Sequence, residues 1–130
     1  MIKNQKGFTL IEIIAVLVIL GILVAVAAQR YVALVQEAKI SAAQAELAEM
    51  KSTLNLAYAR LFIRTGIAPT TGLSVLEEAG FADATAENVG TAPDLWNVTL
   101  TGSGTSVLVS VNNRNGDSEY TASGTWNMPS

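Results

Sequence analysis

The feature that most limits how this chain can fold is an apolar run from Phe8 to Ala28, in which Glu12 is the single charged residue. At about 1.5 Å per residue, a helix over this run is about 31 Å long, enough to cross the roughly 30 Å hydrocarbon core of a bilayer. Lys3 and Lys6 precede the run, and basic residues favour the cytoplasmic side of a membrane. The run therefore predicts one membrane span with a cytoplasmic N-terminus.

The inventory of ionisable side chains argues against several classes of function. Lys and Arg total 8 against 11 Asp and Glu, and the net charge of -3 gives no basic field that would attract nucleic acid. The sequence has no Cys and no His, so it lacks thiolate nucleophiles, the commonest metal ligand and the commonest general base. We expect no enzymatic activity, no cofactor, no metal and no nucleic-acid partner.

Three interpretations of the apolar run compete on the residues alone. It could be a plain membrane anchor, or a secretory signal peptide cut near Ala25-Val26-Ala27, or a segment that stays in the product after a cut on the cytoplasmic side. Inserting an ionised acid at the middle of a bilayer costs about 2.5–3.5 kcal/mol of free energy, and less near the end of the span. An ion-pair partner for Glu12 would reduce this cost. A cut after Gly7 would supply one, because it creates a positive α-amino group on Phe8, four positions before Glu12.

The residues Lys6-Gly7-Phe8-Thr9-Leu10-Ile11-Glu12, with the apolar run that follows, closely resemble the N-terminus of type IV prepilins and type II secretion pseudopilins. The resemblance requires a short basic leader, Gly-Phe, an acid four residues after Phe and a long apolar run. It implies that prepilin peptidase, which is also the N-methyltransferase, cuts between Gly7 and Phe8 and methylates Phe8. It also implies that Glu12 contacts the Phe8 amine of a neighbouring subunit during filament assembly.

The same resemblance implies a structural role as a subunit of a type IV pilus-like filament, a homo-oligomer built by an inner-membrane assembly platform. The precursor would span the inner membrane once, and the product would lie in a cell-surface pilus or a periplasm-spanning pseudopilus. A pseudopilin of a type II secretion system is the alternative within the family, and a membrane-anchored or secreted monomeric binding domain is the alternative outside it. Many type IV pilins have Pro where this chain has Gln29, so the family kink is not expected here.

Beyond the apolar run, an amphipathic pattern predicts that one helix continues from Phe8 to about Arg64, followed by a plausible C-cap at Gly66. Its apolar stripe has alternating spacings of three and four, and charged residues, among them Glu46, populate other faces. The stripe consists of Ile40, Ala43, Leu47, Met50, Leu54, Ala57 and Leu61. This pattern is typical of a helix packed on a sheet.

The remaining sequence predicts a connecting segment and a small sheet. Ser74-x-x-Glu77 suggests a capping box for a short helix that ends at Gly80. Strands are predicted at 95–101, 105–112 and 117–126, joined by turns at Gly102-Ser103-Gly104 and Asn115-Gly116. The predicted fold class is α+β, a long N-terminal helix packed on a small antiparallel sheet. The divisions are a leader at 1–7, a transmembrane and filament-core helix at 8–29, an amphipathic helix at 30–64, an αβ-loop at 65–94 and a sheet at 95–130.

The segment from Asn112 to Asp117 could supply oxygen ligands to Ca²⁺, as some pseudopilins do near their C-termini. An Asn-Gly hairpin turn accounts for the same residues, and hard-cation sites want several carboxylates, whereas only Asp117 and Glu119 are near. We therefore predict a turn here and leave calcium out of the candidate site.

Overall fold

The structure is a computed structural model that describes residues 7–129. Its element order is α1 (Leu10–Thr65), α2 (Gly72–Ala79), β1 (Ala86–Val89), β2 (Trp96–Ser103), β3 (Ser106–Arg114) and β4 (Ala122–Asn127). The fold class is α+β and pilin-like, as the sequence predicts: one long helix precedes a small antiparallel sheet. The chain divides into two compact units, one ending at Gln36 and one, called the head below, beginning at Glu37.

Helix α1 is continuous for 56 residues because nothing in its sequence interrupts it. It contains no Pro and a single Gly, Gly21, which costs only about 1 kcal/mol relative to Ala. It ends at Thr65, where Gly66 adopts a positive φ of 70° and its N–H donates to the Phe62 carbonyl at 2.8 Å. The predicted helix end and its glycine cap are confirmed.

The sheet of the head has the strand order β1-β2-β3-β4, and each neighbouring pair is antiparallel. Val107, Val109 and Val111 are fully buried, whereas Leu108 between them is 46% exposed. This settles which face of β3 covers the core. The core itself joins these valines to Leu54 and Met50 of α1.

Helix α1 contributes a stripe to the core of the head that agrees with most of the prediction. Ala43, Met50, Leu54 and Ala57 are buried, but Ile40 is 41% exposed. Glu46, which the sequence placed on a solvated face, is instead buried on the same side. The prediction for Glu46 is therefore wrong, because the core-facing stripe of α1 is wider than its apolar residues indicate.

The strand predictions were incomplete in two places. Strand β1 lies inside the segment predicted as a connecting loop, because a four-residue strand with one partly buried apolar residue, Val89, gives almost no pattern. The last strand begins at Ala122 and not at Asp117, because residues 117–121 form contacts with α1 and with Trp96. The sheet therefore has four strands where three were predicted.

The short helix α2 has a different N-cap from the predicted one. The hydroxyl of Thr71 accepts a hydrogen bond from the Ser74 N–H at 3.3 Å, so the cap is Thr71 and Ser74 lies within the helix. Gly80 ends the helix in the left-handed conformation, as predicted. Thr71 satisfies the same chemical requirement as Ser74 would, a hydroxyl that accepts from an unpaired helix N–H.

Candidate functional site

The apolar half of α1 is uncovered in the isolated chain. From Leu10 to Val26 its large apolar side chains are between 47% exposed, at Ile13, and 78% exposed, at Leu10. Among the residues that the structure describes, α1 is the one helix long and apolar enough to cross a membrane. Exposed apolar surface costs about 25 cal/mol per Å² in water, so this segment requires lipid or protein around it.

The residues just before α1 are accessible. Gly7, Phe8 and Thr9 lie outside the helix, and the Phe8 side chain is 84% exposed. A Cβ added at Gly7 would meet nothing within 4 Å, so no packing in the described chain requires glycine at this position. Lys3 and Lys6, which the sequence analysis assigned to the leader, lie outside the described residues.

Thr9 and Glu12 form a capping box at the start of α1. The Glu12 Oε2 atom accepts a hydrogen bond from the Thr9 N–H at 2.8 Å, and the Thr9 Oγ1 atom accepts one from the Glu12 N–H at 3.4 Å. Two N–H groups at the N-terminus of the helix are thereby satisfied, and the carboxylate lies at the positive end of the helix dipole. Glu12 therefore has a local partner in the uncut chain.

The sequence analysis missed this role of Thr9. The pattern that predicts it, a Thr followed three positions later by Glu at the start of an apolar helix, is present at Thr9-x-x-Glu12. The predicted residues Phe8 and Glu12 border the same shallow depression on the surface, together with Ile13 and Val16. The structure thus brings two of the three predicted site residues close to each other within one chain.

A lysine of α1, Lys39, contacts the segment that follows Asn112, which the sequence analysis weighed as a calcium site. Asn115 and Gly116 both have positive φ angles, 51° and 83°, as a tight hairpin turn requires. Lys39 Nζ lies 2.7 Å from Asp117 Oδ2 and 2.5 Å from Glu119 Oε2. The two carboxylates near the turn are therefore bonded to an ammonium group, and within residues 7–129 no cluster of three Asp or Glu is present that could hold a metal.

A second cation, Arg114, contacts side chains on both sides of the Asn115-Gly116 turn. The Arg114 guanidinium lies over the rings of Trp96 and Tyr120, at 5.2 and 5.5 Å from their centroids, and pairs with Asp94. The Asp94 carboxylate raises the pKa of Arg114, whose cation is thereby favoured. Both clusters have a structural role, because they hold the C-terminal loop against the head.

A comparison with protein families identifies the N-terminus. Residues 2–28 match the model described as the prokaryotic N-terminal methylation motif, which is the class III signal peptide of type IV pilins and pseudopilins. The match supports a type IV pilin-like or pseudopilin precursor, and prepilin peptidase recognises this motif. The apolar helix and the motif fit a membrane-anchored precursor. No solved structure matches the chain.

Proposed function

We propose that this chain is a structural subunit of a type IV pilus-like filament, released by prepilin peptidase and assembled through its apolar helix. The observation that carries the proposal is the methylation motif at residues 2–28, whose part from Leu10 onward lies on a helix segment that the described chain leaves uncovered. Copies of the same helix can cover one another in a filament. A pseudopilus of a type II secretion system uses the same precursor chemistry and is the alternative assembly.

The proposed cleavage lies between Gly7 and Phe8. The accessibility of both residues supports it, because a peptidase has to bind the chain in an extended conformation around the scissile bond, and neither residue is in α1. Among residues 7–129, no atom lies within 4 Å of where a Cβ at Gly7 would be, which supports recognition by the enzyme as the reason for glycine there. Phe8 would then become the N-terminus and the site of N-methylation.

The proposed assembly contact joins the Phe8 α-amine of one subunit to the Glu12 carboxylate of its neighbour. Two unit charges about 4 Å apart attract by about 4 kcal/mol at an effective dielectric of about 20, before the cost of desolvation is subtracted. In the precursor, Glu12 Oε2 is bonded to the Thr9 N–H. Within residues 7–129 no group donates a hydrogen bond to the Oε1 atom of Glu12, so the cap and the intersubunit pair are compatible.

The domain divisions follow from this function. We assign residues 1–7 to the removed leader, 8–29 to the membrane span and later filament core, and 30–64 to the amphipathic helix that enters the head. We also assign residues 65–94 to the αβ-loop, a range that includes β1, and residues 95–130 to the sheet of the globular head.

The test separates the charge of Glu12 from its capping role. Glu12→Gln keeps a side chain that can close a capping box, whereas Glu12→Ala loses both the cap and the charge. We expect both variants to insert and to be cleaved but to yield little sheared filament, while Thr9→Ala, which keeps the charge, assembles. Normal filament yield from Glu12→Gln together with failure of Glu12→Ala would reduce Glu12 to a helix cap and refute the intersubunit pair.

A further inference from the structure

The outer face of the sheet, opposite the buried valines, carries neutral side chains, which are polar except for Leu108. Its members are the alternate residues of β2, β3 and β4 that point away from the core. They align in rows across the strands: Thr99 pairs with Ser110, which pairs with Ser123, and Thr101 pairs with Leu108, which pairs with Thr125. No charged side chain occupies either row.

One end of this outer face is held rigid by hydrogen bonds between carboxamides. Asn97 Nδ2 donates to Asn88 Oδ1 at 3.2 Å, and Asn112 Nδ2 donates both to Asn97 Oδ1 at 3.0 Å and to Thr99 Oγ1 at 2.9 Å. The amide ladder crosses β1, β2 and β3 and fixes the rotamers of its members. Polar groups whose rotamers are already fixed lose little conformational entropy when they bind a ligand.

A shallow depression of about 440 Å³ lies beside the amide ladder. Four polar residues line it, Ser110, Asn112, Thr121 and Ser123, together with Val111 and Ala122. Asn112 uses its NH₂ group within the ladder and also lines the depression. The hydroxyls around it can each donate and accept.

We propose that the outer face of the sheet binds a neutral glycan. Its groups are hydroxyls and carboxamides, which match the closely spaced donors and acceptors of sugar hydroxyls, and the half-exposed Leu108 offers an apolar contact for the C–H face of a sugar ring. Phosphate, sulfate or uronate groups would lose hydration without gaining a cation on this face. A protein partner is disfavoured because interface centres are enriched in aromatic side chains, Met and Arg, and the described residues of the two rows include none of them.

This inference does not depend on filament formation, since the face belongs to the head of each copy. Individual contacts between hydroxyl groups are weak, so a surface that displays many copies is needed for retention. Full-length protein inserted in fluorescent phosphatidylcholine vesicles provides such a surface. The vesicles are applied to an array that carries both neutral and acidic glycans, with protein-free vesicles as the blank.

We expect retention on at least one neutral glycan and none on its sulfated or sialylated counterpart. Ser123→Lys places a flexible charged chain over the depression and should lower retention by about tenfold, and Asn112→Asp, nearly identical in shape, should do the same because it removes the two donors of the ladder. Thr70→Lys adds the same charge in the loop before α2 and should leave retention unchanged. The tryptophan fluorescence of the head checks that each variant is folded.

Three results would overturn the proposal. The first is the absence of retention on every neutral glycan, and the second is retention on acidic glycans alone. The third is equal retention by the parent chain and by Ser123→Lys when both are folded. If Ser123→Lys instead lowers filament yield while no glycan is retained, the outer face is a contact between subunits and the glycan site is wrong.

Discussion

Lys39, near the start of the head's portion of α1, lies 2.7 Å from Asp117 in the loop that precedes the last strand, a contact that joins residues 78 positions apart. The same ammonium group lies over the Tyr120 ring at 5.3 Å from its centroid. The loop between the Asn115-Gly116 turn and β4 is thus fastened to the helix by one lysine. Its geometry explains why the strand predicted from Asp117 begins only at Ala122.

The first prediction concerns acid sensitivity of the head. Lys39 lowers the pKa of Asp117 below its ordinary value of 3.8, so the contact stabilises the fold above that pH and is lost as the pH falls through the depressed value. The unfolding midpoint of Asp117→Asn should therefore fall less steeply below pH 4 than the midpoint of the parent chain. Unfolding of the full chain in nanodiscs, followed by tryptophan fluorescence, measures this. The same dependence of the unfolding midpoint on pH in Asp117→Asn and in the parent chain would contradict the stabilising contact between Lys39 and Asp117. Glu77→Gln, on the exposed side of α2, is the control and should behave like the parent chain.

The second prediction concerns the core between α1 and the sheet. Leu54 is fully buried, so Leu54→Asp would place a charge in an apolar interface and should unfold the head at room temperature. Leu54→Ala should cost about 2–5 kcal/mol. Leu56→Asp is the matched control because Leu56 lies on the same helix and is 52% exposed. Equal unfolding midpoints for the two Asp variants would refute the packing described here.

The third prediction concerns the buried acid of α1. Burial raises the pKa of Glu46 above 4.5, and the nearby Glu49 raises it further. The folded state therefore binds this proton more tightly than the unfolded chain, so ionisation of Glu46 reduces stability as the pH rises through the folded pKa. Glu46→Gln should raise the unfolding midpoint at pH 7, and the gain should disappear toward pH 4. A lower midpoint at pH 7 would mean that the carboxylate has a favourable contact, and the sign would be wrong.

The fourth prediction concerns a glycine that the packing of α2 on the sheet requires. A Cβ at Gly72 would clash with the carbonyl oxygen of Ser106, which belongs to the backbone and cannot rotate away. Gly72→Ala should therefore separate α2 from β3 and destabilise the head by about 1–3 kcal/mol. Denaturant unfolding of the full chain measures the change. Glu77→Ala, on the exposed side of α2, should leave the midpoint unchanged, and equal behaviour of the two variants would contradict the close approach.

The elements that the sequence predicted well are those that carry a long or locally complete pattern. The apolar run and the stripe through Leu54 predicted α1 almost to its last residue, and the Asn115-Gly116 pair predicted the turn. Both predictions were possible because a helix and a tight turn depend mainly on residues that are close in the sequence. Strand β1 was missed because it is stabilised by pairing with β2 and not by its own four residues. Glu46 was misplaced because its burial depends on what the sheet covers.

The candidate site shows the same division. The roles of Gly7, Phe8 and Glu12 were predicted from the resemblance of their motif to prepilins, and they stay predictions. The capping box of Thr9 could have been predicted, since its pattern is local. The amide ladder on the outer face could not have been predicted. It depends on the register that brings Asn88, Asn97 and Asn112 together from three strands, and on an irregularity in the pairing of β2 with β3 beside Asn97.

The central claim, that this chain is cut at Gly7 and exported into a filament, is tested most directly by the N-terminus of the protein that cells display. Material sheared from the surface of the native host is compared with the membrane fraction by intact mass and N-terminal sequencing. We predict a chain in the sheared fraction that begins at N-methylated Phe8. A product that begins at Ala28, or an uncut chain confined to membranes, would contradict the account.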